Sequence, residues 1–150
     1  MLKRKTLQLL TIGKNPKLGR TSVILIDTTF LIDLSRNAAN QGSSAINWLN
    51  NHSEEKLGIP AIVLGEFSEG FVNPSHPLLL QYRLNWDIVP VNWHVALCYG
   101  RISRLLRGEG KCIGANDTWI AATALHLGAP LLTRNVSHFG RIGGITLIHY

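Results

Sequence analysis

The stretch from residue 23 to residue 34, VILIDTTFLIDL, constrains the fold more than any other part of the chain. Its first four residues are apolar and mostly β-branched, which predicts a strand buried on both faces, as in a parallel sheet. Thr28 and Thr29 are helix-start signals, and the apolar residues after them suit a helix packed on that sheet. Asp27 is therefore expected at the carboxyl end of a buried strand, where open α/β sheets bind ligands. The alternative is that Asp27 only caps the helix.

Segments of strand and helix character alternate along the rest of the chain. The further predicted strands are 57–59, 88–91, 131–133 and 146–148, and the further predicted helices are 43–51, 60–70, 78–86, 95–106 and 115–127. Short connections between alternating strands and helices favour a parallel sheet covered on both sides. The 150 residues are enough for one domain with a sizeable core. No apolar run reaches the roughly 18 residues of a membrane span.

The basic residues are unevenly distributed. Residues 1–20 carry six lysines and arginines and no acid, whereas the remaining nine basic residues equal the nine acids of the chain. We expect residues 1–22 to be a basic arm or extension and residues 23–150 to be the folded domain. The arm is interpreted either as a segment that contacts RNA or a partner, or as an upstream extension before a native start at Val23.

The cysteines and histidines argue against a zinc site. Cys98 and Cys112 match no metal-binding spacing and are expected to be reduced thiols of a cytosolic protein. The six histidines are scattered and form no HExxH pair.

Three more polar residues stand at positions that suit the same sheet edge. Glu66 lies at the border of the apolar face of its predicted helix, where a buried carboxylate needs a partner. Asp117 opens the helix NDTWIAATAL, whose small residues let it approach a sheet closely. Asn135 follows the strand and turn LLTRN. Each has a simpler interpretation, namely a solvated glutamate, a helix-capping aspartate and an ordinary turn asparagine.

The convergence of three carboxylates would be costly without a counter-charge. At a separation of about 4 Å, each pair repels by about 4 kcal/mol at an effective dielectric constant near 20. Three such pairs approach the whole stability of a domain, which is roughly 5–15 kcal/mol. Either the acids bind protons or a divalent cation lies among them, and ligands that are all oxygen favour Mg²⁺ or Mn²⁺ over zinc.

Four segments of the chain, taken in their order along the sequence, resemble the PIN-domain family. Within that family they resemble the VapC toxins of toxin–antitoxin pairs. The resemblance is carried by ILIDTTFLIDL, IPAIVLGEFSEG, ANDTWIAATALHLGAPLLTRN and HFGRI, and it covers residues 23–150. It implies a single-domain α/β fold with a PIN-like parallel β-sheet and helices on both faces. It also implies a Mg²⁺- or Mn²⁺-dependent endoribonuclease that cleaves RNA in the cytoplasm, forms homodimers and is inhibited by a cognate antitoxin. Lysines of the arm would imitate such an inhibitor in cis.

The resemblance assigns roles residue by residue. Asp27, Glu66 and Asp117 match the first three acids of the family and are the predicted metal ligands. Many relatives have an aspartate in the last block, where this chain has Asn135 and His138, so the site has three carboxylates instead of four. The predicted catalytic residues are Asp27, Glu66, Asp117 and Asn135. The predicted substrate-binding residues are Thr133 and Arg134.

Two groups of residues outside the acids are candidate RNA contacts. Arg101, Arg104 and Arg107 lie opposite the apolar face of their helix and would form a basic stripe, with a solvated helix face as the alternative. Trp48, Trp86, Trp93 and Trp119 would stack on bases, with core packing as the alternative. The alternative function is a catalytically weak PIN-fold module that binds RNA or a protein.

Overall fold

The computed structural model describes residues 23–36 and 43–150 and places five parallel strands in one sheet. The strands are β1 (Val23–Ile26), β2 (Lys56–Pro60), β3 (Asp87–Val89), β4 (Leu131–Leu132) and β5 (Leu147–Ile148). The helices are α1 (Thr28–Arg36), α2 (Ser44–Asn51), α3 (Ala61–Ser68), α4 (Pro77–Asn85), α5 (Trp93–Gly108), α6 (Ala115–Leu127) and α7 (Val136–Phe139). The predicted arm, residues 1–22, lies outside the described residues.

The order of the strands, β3-β2-β1-β4-β5, makes β1 the centre of the sheet. Leu25 of β1 is in register with Gly58 of β2 on one side and with Leu131 of β4 on the other. The chain first builds outward from β1 to β3 and then returns to add β4 and β5 on the opposite side. Because parallel crossovers are almost always right-handed, this reversal places helices on both faces. The predicted fold class is confirmed.

The core lies where β1 and α1 meet the rest of the sheet. Leu25, Ile26, Phe30 and Leu31 are all fully buried, as the opening stretch of the sequence predicts. Each such side chain contributes about 1.5–3 kcal/mol by leaving water. Gly58 is required by this packing, since a Cβ there would lie 3.0 Å from a methyl group of Val23.

Several boundaries differ from the predicted ones for local reasons. The β3 strand stops before Pro90, which has no N–H to donate to a sheet. The α5 helix begins at Trp93, two residues before the first predicted position, because the Asn92 side chain accepts a hydrogen bond from the N–H of Val95 and caps it. The α3 helix ends at Ser68 and not near residue 70. The α7 helix was not predicted, since a single turn leaves no periodic pattern.

The α5 and α6 helices form an antiparallel pair. The rings of His94 and His126 stack with 5.4 Å between centroids, and those of Tyr99 and Trp119 stack at 4.0 Å. Moving toward the C-terminus of α5 therefore means moving toward the N-terminus of α6. The last turns of α5 thus lie at the end of the pair where α6 begins.

In the part of the chain that the structure describes, none of the helices has the length and apolar character needed to span a membrane. Cys98 and Cys112 form no disulfide with each other and are free thiols.

Candidate active site

Asp27 occupies the carboxyl end of β1, where it is only 4% exposed. Its Oδ1 accepts a hydrogen bond from the N–H of Thr28 at 2.6 Å, and its Oδ2 accepts from the hydroxyls of Thr29 at 3.1 Å and Thr133 at 2.7 Å. A capping aspartate would instead accept from an N–H two or three residues further along the helix. Among the described residues, no lysine or arginine forms an ion pair with Asp27. The carboxylate is therefore held by neutral donors alone.

Glu66 links three helices at the same edge of the sheet. It lies on α3, and its Oε2 accepts a hydrogen bond from the hydroxyl of Thr28 on α1. Its Oε1 accepts from the side-chain amide of Asn116 on α6 at 2.8 Å. The simpler interpretation of a glutamate that extends into water does not hold. Within residues 23–36 and 43–150, Glu66 also has no lysine or arginine as an ion-pair partner.

Asp117 lies in the first turn of α6 and faces His138. Its Oδ2 is 3.1 Å from Nε2 of His138 without forming a hydrogen bond, and the two groups are an ion pair only when the ring is protonated. Burial raises the pKa of Asp117, His138 opposes this rise, and the charges of Asp27 and Glu66 add to it. The three predicted acids are therefore close enough to act on one another electrostatically.

The three carboxylates share one edge of the sheet but do not form a closed coordination shell. In the described ranges, no three histidine, cysteine, aspartate or glutamate side chains are arranged to hold one metal ion. Ligation of one ion by all three acids therefore requires a change in their relative positions. The chemistry of the donors fits a hard dication, because all of them are carboxylate oxygens and Asp27 is buried. Repulsion from Asp27 and Glu66 also adds to the raised pKa of Asp117, and a cation would relieve it.

Thr133, Arg134 and Asn135 follow β4 and reach the same edge. Thr133 is fully buried, donates its hydroxyl to Asp27 and accepts the N–H of Asn135 at 2.9 Å. The structure thus brings Thr133 to the acid and not to the surface. Asn135 precedes α7, and its side chain makes no capping hydrogen bond there. The catalytic role of Asn135 and the substrate contacts of Thr133 and Arg134 stay predictions.

Comparison with known proteins identifies the family. The sequence model of the PIN domain matches residues 24–145. The chain belongs to the PIN domain family. Within that family it is similar to Ribonuclease VapC1 of Haemophilus influenzae strain R2866, with 31% identity over 80% of this chain and 92% of the relative.

Solved PIN domain structures of VapBC proteins have the same fold. The structure of VapBC-1 from nontypeable Haemophilus influenzae matches with a TM-score of 0.72 and 26% identity, over 85% of this chain and 97% of that one. The structure of VapBC2 from Rickettsia felis bound to a promoter DNA fragment has the same TM-score at 24% identity, over 85% of this chain and 98% of that one. The second likeness supports the fold alone.

A cluster formed by Asp33, Arg134 and Tyr150 borders the acids of this PIN domain. A guanidinium nitrogen of Arg134 is 3.0 Å from Oδ2 of Asp33, and the guanidinium lies 5.0 Å from the ring centroid of Tyr150. The hydroxyl of Tyr150 donates to the same Asp33 oxygen at 2.7 Å. Burial raises the pKa of Tyr150. Asp33 and Tyr150 therefore hold Arg134 in this cluster, with its side chain still 45% exposed.

Sequence reasoning missed the residues that hold the acids. Thr28 and Asn116 both bind Glu66, and Thr29 and Thr133 both bind Asp27. The available signal was adjacency, since three of the four flank a predicted acid directly or at a distance of two residues. Only the fold shows that Thr28 serves the acid of another helix.

The candidate RNA contacts of this PIN domain differ in accessibility. Trp48 is buried in the core, while Trp86 and Trp119 stack on tyrosines. Trp93 is 72% exposed and is the tryptophan most available for stacking. Arg101, Arg104 and Arg107 are all exposed, which both a basic stripe and a solvated helix face predict.

Proposed function

We propose that this chain is the ribonuclease toxin of a toxin–antitoxin pair, and that it hydrolyses RNA phosphodiester bonds with a bound Mg²⁺ or Mn²⁺. The observation that carries the proposal is the meeting of Asp27, Glu66 and Asp117 at one sheet edge without a lysine or arginine partner among the described residues. The likeness to Ribonuclease VapC1 supports the nuclease class.

The three acids would hold the cation, with Asp27 as the fixed ligand. When bound, the cation lowers the pKa of the attacking water and neutralises charge that develops on the phosphate. Thr29 and Thr133 hold the carboxylate of Asp27 in one orientation, so a ligand is in place before the substrate arrives. Asn116 orients Glu66 in the same way. Asn135 would support the attacking water through its amide.

The VapBC structures support an antitoxin as the partner, because the proteins they contain are named as pairs. The acidic sheet edge would accept a basic segment of such a partner, since no lysine or arginine of the described residues is paired with its three acids. A homodimer and a cytoplasmic location, where RNA substrates are found, belong to the same proposal.

The direct test is cleavage of single-stranded RNA with Mg²⁺ or with EDTA. We expect the wild-type protein to cleave only with the metal, and Asp27→Asn to be slower by more than about 100-fold, because several kcal/mol of transition-state stabilisation are lost. Asp87→Asn is the matched control. It removes the same charge from an exposed residue at the start of β3, the strand end opposite to the acids, and should cleave like the wild type.

Metal binding is measured separately from cleavage. Mn²⁺ binding followed by electron paramagnetic resonance should be strong for the wild type and Asp87→Asn and weak for Asp27→Asn, with all three proteins folded by circular dichroism. Equal cleavage by wild type and Asp27→Asn contradicts the proposal. Metal binding without turnover on varied RNA substrates favours the binding module instead.

A further inference from the structure

The α5 helix carries three exposed arginines and no acidic residue along its whole length. Arg101, Arg104 and Arg107 are spaced by three residues, so they cluster on one side of the helix, away from the buried face that contains Ile102 and Leu106. None of the three has an ion-pair partner within the residues that the structure describes. The helix therefore presents uncompensated positive charge.

This charge lies at the same end of the molecule as the acids. The two stacked ring pairs show that α5 and α6 are antiparallel. The arginines that follow Tyr99 on α5 therefore lie toward the start of α6. Asp117 is in that first turn. The segment from Gly108 to Ala115 joins the end of α5 to the start of α6. It spans at most about 25 Å even when fully extended, which limits the distance between these two helix ends.

We propose that Arg101, Arg104 and Arg107 form a binding site for the RNA sugar–phosphate backbone that leads a single-stranded substrate to the acidic sheet edge. The inference rests on the proposed ribonuclease function. An edge with three carboxylates repels phosphates, so a substrate that must enter it needs positive charge beside it. Guanidinium groups are suited to this task because they bind phosphate oxygens through paired N–H donors.

Arg134 is less suited to this role, because its charge is already paired with Asp33 and its guanidinium lies over the ring of Tyr150. The arginines of α5 have no such competitor among the described residues. Their charge is therefore available to an RNA backbone near the acids.

The same helix also exposes Leu97 and Leu105, at 56% and 55%, so a protein surface is the competing occupant. A two-fold pairing of two copies through α5 brings the same patch of each copy together. The arginines of one copy would then approach the arginines of the other, which is unfavourable. Charge complementarity instead favours a polyanion.

The test compares two triple variants that lose the same charge. R101Q/R104Q/R107Q removes the proposed site. R36Q/K56Q/R83Q is the matched control, since Lys56 begins β2 while Arg36 and Arg83 lie in the last turns of α1 and α4, at the opposite edge of the sheet. The two variants lose the same charge from solvent-exposed positions. Both keep the full-length chain and the three acids.

Binding of a fluorescein-labelled, unstructured 12-nucleotide RNA is measured by anisotropy in EDTA over a series of salt concentrations. For single strands, log Kd changes with log salt by about 0.7 per phosphate contact, so loss of three contacts should lower the slope by about 2. We expect R101Q/R104Q/R107Q to show this change with at least a tenfold weaker Kd at low salt (~50 mM), and the control to match the wild type.

Results other than the expected loss of slope and affinity contradict the inference, each for a different reason. An unchanged slope, or an equal change in both variants, overturns it. So does an altered sedimentation coefficient for R101Q/R104Q/R107Q with RNA binding intact, since α5 would then be a protein interface. If the wild type cleaves RNA with Mg²⁺ and R101Q/R104Q/R107Q has the same KM, only this inference fails. If the wild type neither binds nor cleaves RNA, both this inference and the proposed function fail.

Discussion

Asp27 and Asp117 belong to one site but have different surroundings. Asp27 is buried and receives three hydrogen bonds, whereas Asp117 is partly exposed and lies 3.1 Å from Nε2 of His138. The pKa of Asp117 is raised by burial and by the charges of Asp27 and Glu66. Of the two, Asp117 is therefore the acid whose charge opposes folding when no metal is bound.

This difference predicts how pH affects stability without metal. A raised pKa in the folded state means that the charged carboxylate of Asp117 lowers the free energy of unfolding. The loss begins as pH rises above the ordinary pKa of 3.8, grows through the folded-state pKa, and is constant above it. In EDTA, Asp117→Asn should therefore be more stable than the wild type in urea unfolding at pH 7 and should lose this advantage at pH 4.

Saturating Mn²⁺ provides the internal control for that measurement. Because the cation binds the folded wild type and compensates its carboxylates, it should reverse the order of stability at pH 7. An advantage of Asp117→Asn that is the same at pH 4 and pH 7 would show that repulsion among the acids is not its cause.

Thr133 tests the hydrogen bonds that hold Asp27. Thr133→Val removes a hydroxyl that donates to the buried carboxylate and accepts the N–H of Asn135, so it should lower the free energy of unfolding by about 2 kcal/mol. Thr123→Val is the control, because Thr123 is equally buried but donates only to the carbonyl of Trp119 within its own helix. That variant should lose less than about 1 kcal/mol. Equal losses in urea unfolding would contradict the assigned role of Thr133.

At the scale of elements, helix ends were predicted well where a specific residue ends the helix. Gly128 stops α6 at the predicted place because it adopts a φ of +62°, and its N–H contacts the carbonyls of Ala124 and Leu125. The α3 helix has no such residue at its end, and the pattern extended it about two residues beyond Ser68. The single turn of α7 is fixed by its position after β4 and is invisible to periodicity.

Two glycines of the α5–α6 pair should respond in opposite directions to the same substitution. Gly128→Ala places a side chain at positive φ and should lower the free energy of unfolding by about 1 kcal/mol. Gly100→Ala adds a methyl group in open space within a helix and should raise it by about 0.5–1 kcal/mol. Thermal and urea unfolding of the two variants measure both effects, and a gain at Gly128 would refute the left-handed cap.

At the scale of the whole molecule, the sequence predicted the strands but not the order in which they pair. The location of the three acids could be inferred because all carboxyl ends of a parallel sheet share one edge. The partners of those acids could not, because the contact of Thr28 with Glu66 joins two helices that are separated by 38 residues in the chain and meet only in the fold. The gap that keeps the described acids from forming one coordination shell also depends on side-chain rotamers, which a linear pattern does not contain.

The central position of β1 has a consequence for biosynthesis. Asp27 lies near the start of the described chain, but Thr133, its buried hydrogen-bond partner, comes 106 residues later, on the segment that leaves β4. A nascent chain still on the ribosome therefore lacks both the neighbouring strand and the hydroxyl that set this carboxylate. A product that ends before Thr133 has Asp27 without either of these partners.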